Sequence, residues 1–300
     1  MEKIATNKFE ALISYTQEVA KKYGASASSV VIIKDNEIVT EWYSGKHHFK
    51  SGALQVTPDS MFNLYSTRKT YVGLATAIAI VESKLSVDTK VSDIVTDMPE
   101  RDLKDTTIRD LATKLGDKYF GANRIEREEV ACKVIKEITG NNIAQLISGR
   151  VFKPLGLSNT EWVSVPKEKL VCDLQAADGY ASIRIESNEG HERNLYASAR
   201  DLALWGELFL NKGGIHNKQL VPLEVFRLME QLRVETKDKN RIFGWYFKEN
   251  WFYATGAAGC HCVVVPELNA VGVRMLNKYT ENYLEDQMFF NEKFYECLKS

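Results

Sequence analysis

Ser66 and Lys69 stand three positions apart at the head of an apolar run that extends to Val81. On a helix, residues at that spacing share a face. A lysine amine held out of water gives up its proton more readily, because burial disfavours the charged form. Beside a serine hydroxyl, such an amine is a base, and the serine becomes a nucleophile that needs no histidine. Serine is also a favoured helix N-cap, so Ser66 has a purely structural reading as well. The pattern recurs at Ser164–Lys167, where Pro166 argues against a regular helix. The surroundings separate the two copies. From Thr70 to Val81 the chain is apolar on nearly every face (Val72, Leu74, Ala75, Ala77, Ile78, Ala79, Ile80), which predicts a central, buried helix. A polar pair opening such a helix calls for a reason, and a helix N-terminus favours developing negative charge.

The elements that must position this pair follow from periodicity and punctuation. Phe9 to Tyr23 carries Phe9, Leu12, Ile13, Thr16, Val19 and Ala20 at helical spacing, and Gly24 ends it. Ser29 to Lys34 reads as a buried strand, Asp35-Asn36-Glu37 as a turn and Ile38 to Tyr43 as the returning strand. Residues 85–99 form a loop with short turns, and Thr106-Thr107 caps a helix that runs past Leu111. A glycine-punctuated loop at 116–123 precedes helices over 126–139, closed by Gly140, and over 142–152, stopped by Pro154-Leu155-Gly156. Further helices are expected within 194–211 and over 223–231. Short apolar segments at 243–247, 251–255, 260–265 and 270–276 read as strands, with Pro266-Glu267-Leu268-Asn269 as a hairpin connection. A helix over 281–298 closes the chain. The order predicts an α+β fold. One antiparallel sheet built from both chain ends is flanked by the terminal helices, with a mainly helical lobe inserted. The expected division is 1–60 with 206–300 for the sheet lobe and 61–205 for the helical lobe, with the site where they meet.

With 300 residues, 44% apolar and 26% charged, the chain has the composition of an ordinary soluble protein. A net charge of −1 without a basic cluster argues against nucleic acid as a partner. The first residues are polar and lack a signal peptide's apolar core, and no apolar run is long enough for a bilayer. Five cysteines at irregular spacing suggest reduced thiols, so the expectation is a cytoplasmic protein, with a secreted form whose signal has been removed as the alternative, no membrane partner and an open oligomeric state. Internal repeats and low-complexity stretches are absent from the sequence.

Several blocks together resemble the serine β-lactamase and penicillin-binding protein superfamily, in its class C and esterase-like branch. Ser66-Thr67-Arg68-Lys69 is followed by Thr107-Ile108-Arg109-Asp110-Leu111. Ile138-Thr139-Gly140, Val151 to Leu157 and Thr160 resemble a "TG … F-x-PLG … T" block. Tyr196 to Gly206 resembles a "SARDLA" helix, and Thr255 to Gly259 through Pro266-Glu267 resembles the last motif strand and its hairpin. The resemblance spans residues 28 to 290 and implies a β-lactamase/transpeptidase-like fold that works through an acyl-enzyme. In that reading Ser66 attacks an ester or amide carbonyl, Lys69 is the base and a tyrosine relays the proton. The N–H groups of Ser66 and Ala257 form the oxyanion hole. The family's Tyr-x-Asn is represented here by Tyr119 to Asn123, a Tyr-x-x-x-Asn in a segment between Arg109 and Glu128 that looks remodelled. Tyr119 has an equally good reading as a ring packed under a loop. The third motif reads Ala254-Thr255-Gly256, without the usual cation. That weakens a β-lactamase or peptidase reading and favours an ester or amide substrate without a carboxylate. Asn123, Thr255 and Gly256 are the expected substrate contacts; Arg274 and Asn277 could replace the cation, a surface polar role being the plainer reading.

Other motifs carry less. On a strand, Cys260 and Cys262 face one way and His261 the other, so the three cannot hold one ion, and His47-His48 has no spaced partner. No metal and no cofactor is expected. Phosphate-binding loops, dinucleotide fingerprints and a G-x-S-x-G elbow are missing from the sequence. Trp245, Tyr246 and Trp251 could line a pocket, with core packing as the default. The expected function is a serine hydrolase acting on a small ester, amide or β-lactam-like molecule. The alternatives are a non-catalytic binding protein on the same scaffold and an acyltransferase with the same intermediate.

Overall fold

The computed structural model describes residues 7–98, 103, 105–113, 119–120, 125–172, 183–215, 217–235 and 241–300; Asn7, Tyr119, Phe120 and Ile125 are described in their backbone only. Helix α1 (Glu10–Tyr23) leads into strands β1 (Ala27–Lys34) and β2 (Glu37–Gly45). Asp35 and Asn36, at φ of 54° and 64°, make the tight two-residue turn that suits the twist of a hairpin. Helices α2 (Lys69–Glu82), α3 (Ile108–Thr113), α4 (Arg127–Thr139), α5 (Ala199–Leu210) and α6 (Leu223–Glu235) follow. Strands β3 (Arg241–Ile242), β4 (Trp245–Phe247), β5 (Phe252–Thr255), β6 (His261–Val265) and β7 (Ala270–Leu276) come next, and α7 (Tyr283–Lys299) closes the chain.

The strands form one seven-stranded sheet in the order β3-β4-β5-β6-β7-β1-β2. Every neighbouring pair is antiparallel. First and last parts of the chain therefore meet at the β1–β7 seam, where Val31 lies opposite Val273. Side chains alternate across the strands. Val30, Ile32, Val263 and Val265 pack with Leu12, Phe290 and Phe294 of the terminal helices. Val31, Ile33, Cys262, Val264 and Val273 join the larger core that holds α2 and α5. Both faces of the central strands are covered, so β1 reads as an almost continuous apolar run.

Helix α2 lies at the centre: every side chain from Thr70 to Ile80 is buried. Tyr71 stacks on Trp205 of α5 with ring centroids 3.8 Å apart. Trp205 Nε1 donates to Thr70 Oγ1 at 3.0 Å. A second, three-stranded sheet joins Phe62–Asn63, Leu195–Ala197 and Thr160–Trp162, and it delivers the chain to α2. Sequence periodicity did not show these strands, because each has only two or three residues. The stop expected at Pro154-Leu155-Gly156 falls at Gly156, in the left-handed conformation; the helical path runs through a π-turn at Ser148–Phe152 and continues over Lys153–Leu155, so Pro154 itself does not end it. Among the described residues, no helix is long and apolar enough to cross a membrane.

The β3–β4 hairpin is pressed against the start of α2. A Cβ added at Gly73 would lie 2.0 Å from Phe243 O. In an exposed helix, glycine to alanine stabilises by about 1 kcal/mol. Here Gly73→Ala is expected to reverse that sign and cost roughly 1–3 kcal/mol, because helix and hairpin must part. Urea denaturation followed by tryptophan fluorescence measures it.

Candidate active site

The chain leaves the strand Phe62–Asn63, makes a 3₁₀ turn at Tyr65–Arg68 and enters α2 at Lys69. Tyr65 takes a φ of 49°, an unusual conformation for a side chain of this size. Its amide is held by Asn63 Oδ1 at 2.8 Å. Strain of this kind costs on the order of 1 kcal/mol or more, and it brings Ser66 round the corner between strand and helix. The residues that precede the turn and the helix, Leu64 and Arg68, make no side-chain cap, so Ser66 is not used as one. Its hydroxyl sits half-buried and makes no hydrogen bond to any described residue.

Three other segments close on this turn. A Cβ added at Gly256 would lie 2.4 Å from Leu64 O, and one at Gly244 would lie 2.4 Å from the Lys69 carbonyl. Thr67 Oγ1 donates to Cys260 O at 2.9 Å. The end of β5 thus lies directly against the Ser66 turn. Ala257 occupies the tight turn beyond it, closed by Gly259 N–H donating to Gly256 O at 2.9 Å. Thr280 N–H donates to Ala257 O at 3.1 Å, while the Ala257 N–H has no acceptor among the described residues.

Lys69 is mostly enclosed, with 14% of its side chain exposed, and its Nζ lies 4.0 Å from Glu128 Oε1. The same carboxylate oxygen accepts from Arg68 Nη2 at 3.0 Å. Burial, reinforced by the cation of Arg241 and then by Arg68 and Arg193, pushes the Lys69 amine down to about 8 against the pull of Glu128. No hydrogen bond joins Ser66 Oγ and Lys69 Nζ among the described residues. Arg241 opens the edge strand β3 and lies over the Tyr246 ring at 4.4 Å. Its Nε is buried without a hydrogen-bond partner among the described residues. Glu128 and Arg241 were not evident from the sequence. Glu128 looks like an ordinary acid in a helix's first turn, and Arg241 follows a polar run that reads as a solvated loop.

The structure places the other expected residues as follows. Tyr119–Phe120 pairs with Ile125–Glu126 immediately before α4, which carries Glu128, but the Tyr119 side chain and Asn123 lie outside the described residues. Gly256 and Ala257 are at the Ser66 turn. Ala254, where the family carries a cation, is a buried methyl group 1% exposed. Thr255 is 2% exposed, and its hydroxyl is held by His261 Nδ1 at 3.0 Å. His261 Nε2 in turn meets Asp286 Oδ2 at 3.0 Å. Burial and then Arg274 push His261 down to about 4, so it is neutral. Burial alone would raise the Asp286 carboxyl, but Arg274 and the hydrogen bond from His261 outweigh it and hold it well below the usual range. A neutral His261 beside an ionised Asp286 carries its proton on Nε2, so Nδ1 accepts the Thr255 hydroxyl proton. The Thr255 side chain is thereby anchored away from substrate, and only its main chain remains to make the expected contact.

Arg274 and Asn277 do not replace the missing cation, and neither is at the surface. Arg274 is wholly buried, with Nη1 on Asp286 Oδ1 at 2.9 Å and Nε on Gly259 O at 3.2 Å. Asn277 Oδ1 accepts from the Ser26 and Ala27 amides at 3.2 Å. Cys260 and Cys262 both face the core that holds α2, and His261 points the other way to Asp286, as strand alternation requires. His47 is fixed by Ser60 Oγ at 2.8 Å. Trp245 and Trp251 are core residues, Trp245 lying 4.8 Å from Phe209 and Trp251 5.2 Å from Tyr295. The second Ser-x-x-Lys is not helical: Ser164 is exposed, and Lys167 pairs with Glu161 at 2.5 Å.

Residues 12–114 and 129–291 match the beta-lactamase family, and the chain belongs to it. The interruption at 115–128 falls on the segment that carries Tyr119 and Asn123. An uncharacterised protein of Alkalihalophilus pseudofirmus is 28% identical over 336 aligned positions, covering 100% of this chain and 99% of that one. A penicillin-binding protein homologue from Caulobacter crescentus has the same fold, with a TM-score of 0.76 and 14% identity over 98% of both chains. EstCE1, a hydrolase with promiscuous acyltransferase activity, superposes with a TM-score of 0.71 and 15% identity over 97% of this chain and 100% of its own.

Arg241→Gln should return the Lys69 amine toward ordinary lysine values, above its present position near 8, because the second-largest depressing influence is gone. NMR titration of the lysine side chains, with Lys69→Gln to assign the signal, reads the shift. An unmoved Lys69 titration would show that Arg241 does not act on the amine.

Proposed function

We propose that the protein is a serine hydrolase that cleaves a small ester or amide through an acyl-enzyme on Ser66. The observation that carries this reading is the Ser66 turn itself: an uncapped serine beside an amine pushed down to about 8 and an unengaged Ala257 N–H. In the reaction Lys69, as the free amine, takes the Ser66 proton while Oγ attacks the carbonyl carbon. The oxyanion gathers on the Ser66 and Ala257 N–H groups, which need no reorganisation as charge develops. The proton then goes to the leaving alcohol or amine, with Tyr119 as the proposed relay. Water attacks the acyl-enzyme, Lys69 or Tyr119 takes its proton, and Ser66 is released with the acid. Substrate binding draws Lys69 Nζ onto Ser66 Oγ, since catalytic hydrogen bonds commonly tighten only in the complex.

Ala254 offers no charge to a substrate carboxylate, which favours a neutral acyl donor over a penicillin-like one. Acyl transfer to an acceptor other than water is the second reading, favoured by the likeness to EstCE1.

Exposure to a p-nitrophenyl ester and to a fluorescent β-lactam, followed by intact mass, tests the proposal. The ester should leave an acyl adduct that Ser66→Ala abolishes and that Ser164→Ala leaves unchanged. Lys69 must be neutral to act as base, so the acylation rate should climb as pH passes up through about 8 and level off above it. Tyr119→Phe should slow turnover by about 10²–10⁴-fold. An adduct that survives in Ser66→Ala overturns the assignment, and no adduct with either donor leaves a binding protein on this scaffold.

A further inference from the structure

Away from Ser66, α4 and the loop before the strand Leu195–Ala197 bring together three metal-ligating groups that the proposed chemistry does not use. Cys132 lies on α4, while Glu189 and His191 lie on the loop; Cys132 and Glu189 are 57 residues apart in sequence, so no spacing motif reveals them. Cys132 Sγ, a Glu189 carboxylate oxygen and a His191 ring nitrogen all lie within 4.8 Å of one another. His191 Nδ1 is 3.9 Å from Glu189 Oε2 and is buried without a hydrogen-bond partner among the described residues. A ring nitrogen enclosed in this way costs free energy unless something meets its lone pair or proton. Cys132 is 6% exposed, and among the described residues its thiol has the Glu189 carbonyl at 3.7 Å as acceptor.

The surroundings favour a cation. The cleft over the three groups is lined by Asp97, Glu129, Glu137 and Glu192 against two lysines, Lys133 and Lys136, and Lys133 is paired with Asp97. One thiol, one imidazole and one carboxylate form a mixed sulfur, nitrogen and oxygen donor set. That set suits a tetrahedral zinc-class ion and is too soft for calcium or magnesium. A tetrahedral ion holds its ligands about 3.5 Å apart, so the three must close by roughly 1 Å. Glu189, with 51% of its side chain exposed, and His191, at 20%, are on a loop and can turn to do so.

We propose that Cys132, Glu189 and His191 bind one zinc-class divalent ion, with water at the fourth position. Binding forms one metal bond to each group, and the Cys132 thiol proton leaves to solvent. The ion would clamp the loop to α4. That loop is already tied to the core, where Ala144 N–H donates to Glu189 O at 3.2 Å. One residue past His191, Glu192 O accepts from Arg68 Nε at 3.0 Å, so the clamp would also steady the arginine between Ser66 and Lys69.

The test uses the whole reduced protein, freed of metal with a chelator, and two probes. Zn²⁺ is titrated in competition with a chromophoric chelator, and Co²⁺ is followed by absorption. One equivalent of Zn²⁺ should bind, and Co²⁺ should give a near-ultraviolet thiolate charge-transfer band with the strong visible bands of a tetrahedral ion. Cys132→Ser should remove the charge-transfer band. His191→Ala and Glu189→Gln should each weaken Zn²⁺ by about tenfold or more, since even the partners of metal ligands are worth that much. Glu189→Gln alters an exposed side chain, so it keeps the test readable should a core variant fail to fold. No uptake at micromolar Zn²⁺ overturns the proposal. So does a charge-transfer band that persists in Cys132→Ser, or affinity unchanged by Glu189→Gln and His191→Ala.

Discussion

The whole arrangement depends on backbone touching backbone at the head of α2. Gly73 lets the helix meet the Phe243 carbonyl, Gly244 meets the Lys69 carbonyl, and Gly256 meets that of Leu64. Any side chain at these positions would collide with main chain, which cannot rotate away as a flexible side chain can. Because the contacts are between peptide units, the spacing between Ser66, Lys69 and the end of β5 is set by covalent geometry and van der Waals radii. Side-chain rotamers have little say in it. The stack of Tyr71 on Trp205, and the bond from Trp205 to Thr70, fix α2 from the other side. A serine on a strained turn, a lysine one turn on and the Ala257 amide are therefore held by contacts between peptide units.

Charge supplies the second constraint. Arg68, Lys69, Arg193 and Arg241 gather around one buried carboxylate, Glu128, and a flanking Glu126 that Arg193 binds at 2.6 Å. Glu128 serves Arg68 at close range and Lys69 only at 4.0 Å. The guanidinium keeps its charge at any ordinary pH, whereas the amine can shed its own. With too few anions for the cations, the group that can deprotonate is the one that gives way. Burial is the larger cause, and this excess of fixed cations adds to it, so the amine comes down to about 8 although a carboxylate stands beside it. Unlike the fixed motif cation it lacks at Ala254, this chain brings positive charge to the site from Arg241 on an edge strand.

Much of this was legible in the residues. Alternation and helical spacing gave both hairpins, the central helix and the seam between chain ends, because those elements are long enough for a period to repeat. The Ser66 turn was legible because a polar pair interrupts an otherwise apolar run. What was missed is short or non-local. Strands of two residues carry no period, and β3 follows a polar stretch. Glu128 and Arg241 acquire meaning only through neighbours 59 and more residues away, with Arg68 Nη2 on Glu128 across 60 residues as the plainest instance. The Thr255–His261–Asp286–Arg274 chain escaped for the same reason. Strand alternation correctly sent His261 away from its flanking cysteines, but only the packing of α7 shows what it meets there.

That buried chain bears on recognition. Arg274 and Asp286 are both buried, and removing either partner of such a pair typically costs about 3–5 kcal/mol. It ties the strand end that carries Thr255 to α7 and, through Arg274 Nε, to the Gly259 carbonyl of the turn beyond Ala257. The Thr255 hydroxyl is committed inward as a result, and Ala254 presents only a methyl group. On the proposed reading, β5 then offers substrate its main chain and little else. A site built this way discriminates by the shape and direction of a carbonyl. Affinity for a particular acyl group must come from elsewhere.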